Sequence, residues 1–111
     1  MYDSYTYYEL DVFSGDKSIY TILSELDRDE FEDLFCKIND DGSPNDNDTY
    51  WDCEEDMKAI SEMYPDIVFQ LTGQGQIPDD MWRQYFKNGK SHKVDAIVTY
   101  PPFDEDKLEK I

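Results

Sequence analysis

IVFQLTGQGQIPDDMWRQYFKNGKSHKVDAIVTY, residues 67–100, holds the pattern on which the fold turns. Ile67 to Leu71 is a short apolar run rich in β-branched and aromatic residues, and Thr72-Gly73-Gln74-Gly75 follows as its boundary, so it reads as a buried strand ending in a tight turn. Met81 to Lys87, MWRQYFK, is a second strand candidate, which would place Trp82 and Tyr85 on opposite faces. It is joined through Asn88-Gly89 to a third, Val94 to Tyr100. Asn-Gly between strand-like runs is the strongest short-range hairpin signal, because a type I′ turn needs positive φ at both central residues. Antiparallel pairing is the expectation.

Upstream, Tyr5 to Phe13 alternates, with Tyr8, Leu10 and Val12 on one face and Glu9 and Asp11 on the other, which predicts a half-buried strand. Ser14-Gly15-Asp16 ends it, and Ile19, Ile22, Leu23 and Leu26 recur at helical spacing. The stripe breaks at Asp27 to Glu30, which have the spacing of a capping box, and resumes out of phase at Phe31, Leu34, Phe35 and Ile38. A kink or two short helices is predicted, the second exposing Asp29, Glu30, Glu32 and Asp33. Asn39 to Asp48, NDDGSPNDND, is loop by every local signal.

Thr49-Tyr50-Trp51 reads as a short strand with Trp51 in the core, and Asp52 as the cap of a helix with Glu54, Glu55 and Asp56 in its first turn. Met57, Ile60, Met63 and Tyr64 form its predicted inner face, and Pro65 follows its end. The order β-α(α)-β-α-β-β-β, without an internal repeat, predicts an α+β protein: a mainly antiparallel sheet with helices packed on one face. At 111 residues the chain has the size of one domain. Its aromatic content of 15% supplies the large apolar groups that a disordered acidic chain lacks. No run approaches the roughly 18 apolar residues of a membrane span, and MYDSYTYY lacks the regions of a signal peptide. The expectation is a soluble, cytoplasmic protein with reduced cysteines.

Charge gives the functional reading. The formal net charge is −17, and residues 1–56 hold 18 of the 27 acids against only Lys17, Arg28 and Lys37. Repulsion at that density opposes a compact state, so the charge calls for an account beyond solubility. One account is an electrostatic face for a basic partner. Its expected residues are Asp29, Glu30, Glu32 and Asp33, Asp40, Asp41, Asp46 and Asp48 in the loop, and Glu54, Glu55 and Asp56 at the following helix start. Direct contact with nucleic acid or an anionic membrane is disfavoured, since phosphates would be repelled.

Catalytic and metal signals are weak by comparison. Gly73-Gln74-Gly75 lacks the Lys-Ser/Thr of a phosphate loop. The acidic loop lacks the combination of Gly at the sixth and Glu at the twelfth position of a calcium loop. Cys36, Cys53 and His92 show no paired ligand spacing, and no acid is isolated in an apolar stretch where its pKa would rise for acid–base work. No catalytic residue, metal or cofactor is assigned, and the chain is read as a non-enzyme.

Residues 50–90 and the PFDEDKL ending at Leu108 resemble small proteins of phages and other mobile elements. The match is carried by Glu54-Glu55-Asp56-Met57, Gly73-x-Gly75 and Trp82-Arg83-x-Tyr85-Phe86. Those proteins look like the wider group with a YubB-like ferredoxin-type fold, so the resemblance implies a ferredoxin-like variant with no defined catalytic activity. It also implies a setting in which counter-defence proteins, anti-CRISPR proteins among them, look like polyanions that fill a nucleic-acid groove on a host enzyme. The resulting expectation is an inhibitor that binds a basic nucleic-acid-binding protein of a bacterial host, most specifically a CRISPR effector nuclease. The alternative is a phage structural or regulatory protein whose charge is merely solvating, with a homodimer through its aromatic surface as one expected form.

Overall fold

The computed structural model describes residues 6–45, 50–75, 81–97 and 99–111. Four strands, β1 (Tyr7–Ser14), β2 (Val68–Gln74), β3 (Met81–Lys87) and β4 (Lys90–Asp95), form one sheet in the order β1-β2-β3-β4 with every neighbouring pair antiparallel. Three helices, α1 (Ile19–Glu25), α2 (Glu32–Lys37) and α3 (Cys53–Met63), all lie in the crossover between β1 and β2. The protein is therefore α+β. Gathering the helices into one crossover leaves the strands in the order of a meander, where a ferredoxin-like chain distributes its helices between two βαβ halves.

Strand alternation divides the sheet into two faces. Leu10 is opposite Leu71, and Val12 opposite Phe69. Phe69 is opposite Phe86 and Leu71 opposite Gln84. These side chains point one way because the side-chain period of a strand is two. Against them pack Ile19, Ile22 and Leu23 of α1, Leu34 of α2, and Met57 and Ile60 of α3, with Leu26, Phe31, Ile38, Trp51 and Ile67 closing one buried cluster. Full burial of such a side chain stabilises the fold by about 1.5–3 kcal/mol, which makes this layer the main source of stability.

The break at 27–31 separates α1 from α2, as the change of phase in the apolar stripe predicts. Asp27 accepts from Asp29 N at 2.9 Å and Glu30 N at 3.3 Å. It thereby caps the turn before α2 rather than α2 itself, whose N-cap, Phe31, makes no side-chain cap bond. Asp52 caps α3 by accepting from Glu55 N. The loop after α2 folds back on the sheet: Leu10 N donates to Gly42 O at 2.9 Å, covering part of the outer edge of β1.

Four local expectations are corrected. Tyr50 and Trp51 are not a strand; Trp51 is buried because α3 and the sheet enclose it, while Thr49 lies outside the described residues. Met63 is 53% exposed, and Ser61 takes the buried place: positions 57, 60, 61 and 64 form the inner stripe, which 63 misses. Gly73 is not in a turn but inside β2, where the Trp82 ring occupies the space a Cβ would need. The strand read at Val94 to Tyr100 is displaced towards the turn. Asn88 and Gly89 do have positive φ, 48° and 78°, and so tight a hairpin pairs Lys90 with Lys87 immediately. Pairing then runs out at Asp95 opposite Trp82, followed by one bond from Ala96 N to Met81 O.

No helix among the described residues is long and apolar enough to cross a membrane.

Candidate functional site

The acidic residues of the helical layer derive their arrangement from where the helices begin. Asp29 and Glu30 sit on the exposed turn before α2, a correction to their reading as helix, because Asp27 draws the backbone at 28–31 into a capped turn. Glu32 and Asp33 occupy the first turn of α2, and Glu54, Glu55 and Asp56 that of α3, where the positive end of each helix tolerates them.

Asp56 joins the two groups. Its Oδ2 accepts from the indole Nε1 of buried Trp51 at 2.8 Å, which draws the carboxyl partly into the protein. Burial pushes its pKa up, and the charges of Glu55, Asp33 and Asp52 push it further, while the indole hydrogen bond opposes the rise. Asp33, far away in sequence, is thus near enough to Asp56 to act on it. The starts of α2 and α3 are thereby coupled electrostatically through Asp33 and Asp56.

Cations do little to compensate it. Among the described residues the ion pairs are Lys17–Glu25 at 3.0 Å, Arg28–Asp40 at 3.1 Å and Lys58–Glu62 at 3.2 Å. None involves Asp29, Glu30, Glu32, Asp33, Glu55 or Asp56. Lys37 is buried, with its ammonium 5.9 Å from the centre of the Tyr8 ring.

Asp40 and Asp41 have local occupations. Arg28 lies over the Phe35 ring at 4.1 Å and bonds Asp40, tying the loop to the turn and partly neutralising it. The two elements border an open depression of about 440 Å³. Ser43 donates to Asp41 through both its hydroxyl and its backbone N–H, and these bonds hold the Asp41 carboxyl below its ordinary pKa. Glu54 is turned towards the sheet, accepting from Gln84 Nε2 at 2.8 Å, and so stands apart from the Asp33–Asp56 pair. Asp46 and Asp48 lie outside the described residues.

Several structural residues had little sequence signal. Gln84 is buried in the core-facing row of β3 and is satisfied by Glu54 and by Ser91 Oγ at 3.2 Å. Strand alternation between Trp82 and Phe86 was the one indication that it faced inward. Ser61 accepts from the hairpin Gly89 N at 2.8 Å and donates to Lys58 O, locking α3 to the β3–β4 turn. Glu25, Lys17 and Tyr64 form a further tie: the Tyr64 hydroxyl donates to Glu25 at 2.6 Å. That bond, with help from Lys17, lowers the Glu25 pKa, while burial and then Glu25 push Tyr64 up to about 12.

The sites of potential chemistry are distinct from this surface. Cys53 is pushed up to about 11, by burial first and then by Glu54 and Asp52, so its thiol is protonated at neutral pH and a poor nucleophile. No group of three or more His, Cys, Asp or Glu side chains among the described residues is arranged to hold a metal ion. Trp82 packs edge-on to Tyr8, which packs edge-on to Trp51. Tyr85, on the opposite face, packs against Phe13 at 5.2 Å.

No family model matches the chain, and neither the curated proteins nor the solved structures give a significant match.

Proposed function

We propose that this protein is a non-catalytic, acidic binding protein that occupies a basic nucleic-acid-binding surface of another protein. The observation that carries the reading is that the carboxylates Asp29 and Glu30 on the turn before α2, Glu32 and Asp33 at its start and Glu55 and Asp56 at the start of α3 have no cation paired to any of them among the described residues, with Asp33 acting on Asp56. Duplex DNA presents about one charge per 1.7 Å of axis, and a rigid array of carboxylates offers the same groove a comparable field. Helix starts and a capped turn fix the backbone positions from which these carboxylates project. Asp40 and Glu54 contribute less than the sequence suggested, because Arg28 and Gln84 engage them.

The most specific target is a CRISPR effector nuclease in the cytoplasm of a bacterial host, the protein acting as an anti-CRISPR inhibitor by nucleic-acid mimicry. The direct test measures binding to a purified, guide-loaded effector nuclease as salt and competing duplex DNA are raised. Affinity should fall with both, and the combined variant Asp29→Asn, Glu30→Gln, Glu32→Gln, Asp33→Asn should abolish binding while keeping a melting temperature at or above that of the parent. Binding that survives the four substitutions, or is indifferent to salt, overturns the mimicry reading.

A further inference from the structure

Four of the ten basic residues, Arg83, Lys87, Lys90 and Lys93, lie on the β3–β4 hairpin, whose own strands carry one carboxylate, Asp95. Alternation places Arg83, Tyr85, Lys87, Lys90, His92 and Val94 on the open face of the sheet, opposite the helices. Arg83, Lys87 and Lys90 form no ion pair among the described residues. Beside Arg83, at the end of the hairpin remote from the Lys87–Lys90 turn, lies a depression of about 310 Å³, lined by Thr72, Met81, Arg83, Tyr85, Val94 and Asp95, which has the size and the apolar floor to take an aromatic side chain.

The segment after β4 has the complementary character. Ile97, Tyr100, Phe103 and Leu108 are 87%, 86%, 77% and 65% exposed, a concentration of apolar surface within twelve consecutive residues. Asp104 accepts from Asp106 N at 3.0 Å, capping a 3₁₀ turn (Glu105–Lys107) that groups Asp104, Glu105 and Asp106. Pro101-Pro102 fix φ and hold Tyr100 before them extended. Ala96 lines the depression, and the aromatic and acidic residues from Tyr100 onward stand exposed on the chain that bears them. The 17.4 Å radius of gyration exceeds the roughly 13 Å of a compact chain of this length.

We infer that the arm after β4 docks on the open β3–β4 face of a second copy of this chain, in a reciprocal exchange that places Tyr100 and Phe103 on the Met81–Tyr85–Val94 depression and Asp104 to Asp106 against Arg83, Lys87 and Lys90. A second copy is the partner of choice because one chain carries both halves of the complementarity and leaves the aromatic half, Tyr100 and Phe103, exposed. The size is sufficient: an aromatic side chain buries about 150–250 Å². Two arms and the surfaces they cover thus reach the roughly 1,200–2,000 Å² of a stable interface. Two-fold exchange is also closed, so it ends at a dimer.

Sedimentation equilibrium on the full chain, from micromolar concentration upward, tests the inference. It should give twice the 13.2 kDa chain mass. The variant Tyr100→Ser with Phe103→Ser alters exposed positions and should sediment as a monomer with an unchanged far-UV circular dichroism spectrum. Arg83→Glu with Lys87→Glu should weaken the dimer at least tenfold, and adding Asp104→Lys with Glu105→Lys should restore it. A chain that is monomeric throughout, a dimer indifferent to the Tyr100 and Phe103 changes, or a charge swap without restoration overturns the inference. These residues lie outside the proposed acidic face, so the outcome is independent of whether that face binds a nuclease.

Discussion

Replacing Asp56 separates the two roles that the structure gives it, as acceptor for Trp51 and as a charge among charges. Asp56→Asn and Asp56→Ala both remove the charge and with it the repulsion from Glu55, Asp33 and Asp52. Only Asn keeps an oxygen for the Trp51 indole N–H, which in Ala is left without its partner in a residue 3% exposed. A buried donor so orphaned costs about 1–3 kcal/mol. Ala recovers up to about 0.7 kcal/mol through helix propensity. Asn should therefore be the more stable by about 1–2 kcal/mol, a gap of roughly 4–16 °C in Tm for a domain of this size. Thermal unfolding followed by circular dichroism measures it. The pH dependence gives a second reading, because the folded-state pKa of Asp56 is raised. Its contribution to stability is present below the ordinary Asp value of about 3.9 and is lost as pH rises through the folded value. The difference in Tm between wild type and Asp56→Asn should accordingly shift in favour of Asn between pH 4 and 7. An Ala variant as stable as Asn would refute the role of the carboxylate as acceptor for Trp51, and a pH-independent difference would refute the raised pKa that burial and the neighbouring charges give Asp56.

Gly73→Ala should push the Trp82 ring from its place over β2 and destabilise the protein by more than about 1 kcal/mol, with a red shift in tryptophan emission; unchanged emission and stability would show that the ring does not need the glycine. At pH 8, alkylation of Cys53 in the folded protein should be about a hundredfold slower than in the urea-unfolded chain, since its pKa is pushed from 9.0 to about 11. Equal rates in mass-spectrometric labelling would contradict the burial of that thiol.

Local periodicity carried most of the fold. The alternation of Tyr8, Leu10 and Val12, the stripes of α1 and α2 with their break at Asp27, and the Asn88-Gly89 turn are all properties of neighbouring residues, and each appears in the structure as read. What failed depended on contacts between distant segments. Gly73 read as a turn because nothing local announces that Trp82 will cover it, and the last strand was misplaced because its length is set by the partner it pairs with, not by its own β propensity.

The candidate surface divides in the same way. Sequence alone determined that the first half of the chain is densely acidic and that three groups of carboxylates lie at helix starts or in a loop, since charge and capping are written in residue order. Tertiary structure decided which carboxylates act together. It brought Asp33 within electrostatic range of Asp56, gave Asp40 to Arg28 and turned Glu54 to Gln84, because the pairing of charges depends on how α2, α3 and the sheet pack, and Coulomb interactions are governed by distance in space and by burial rather than by separation along the chain.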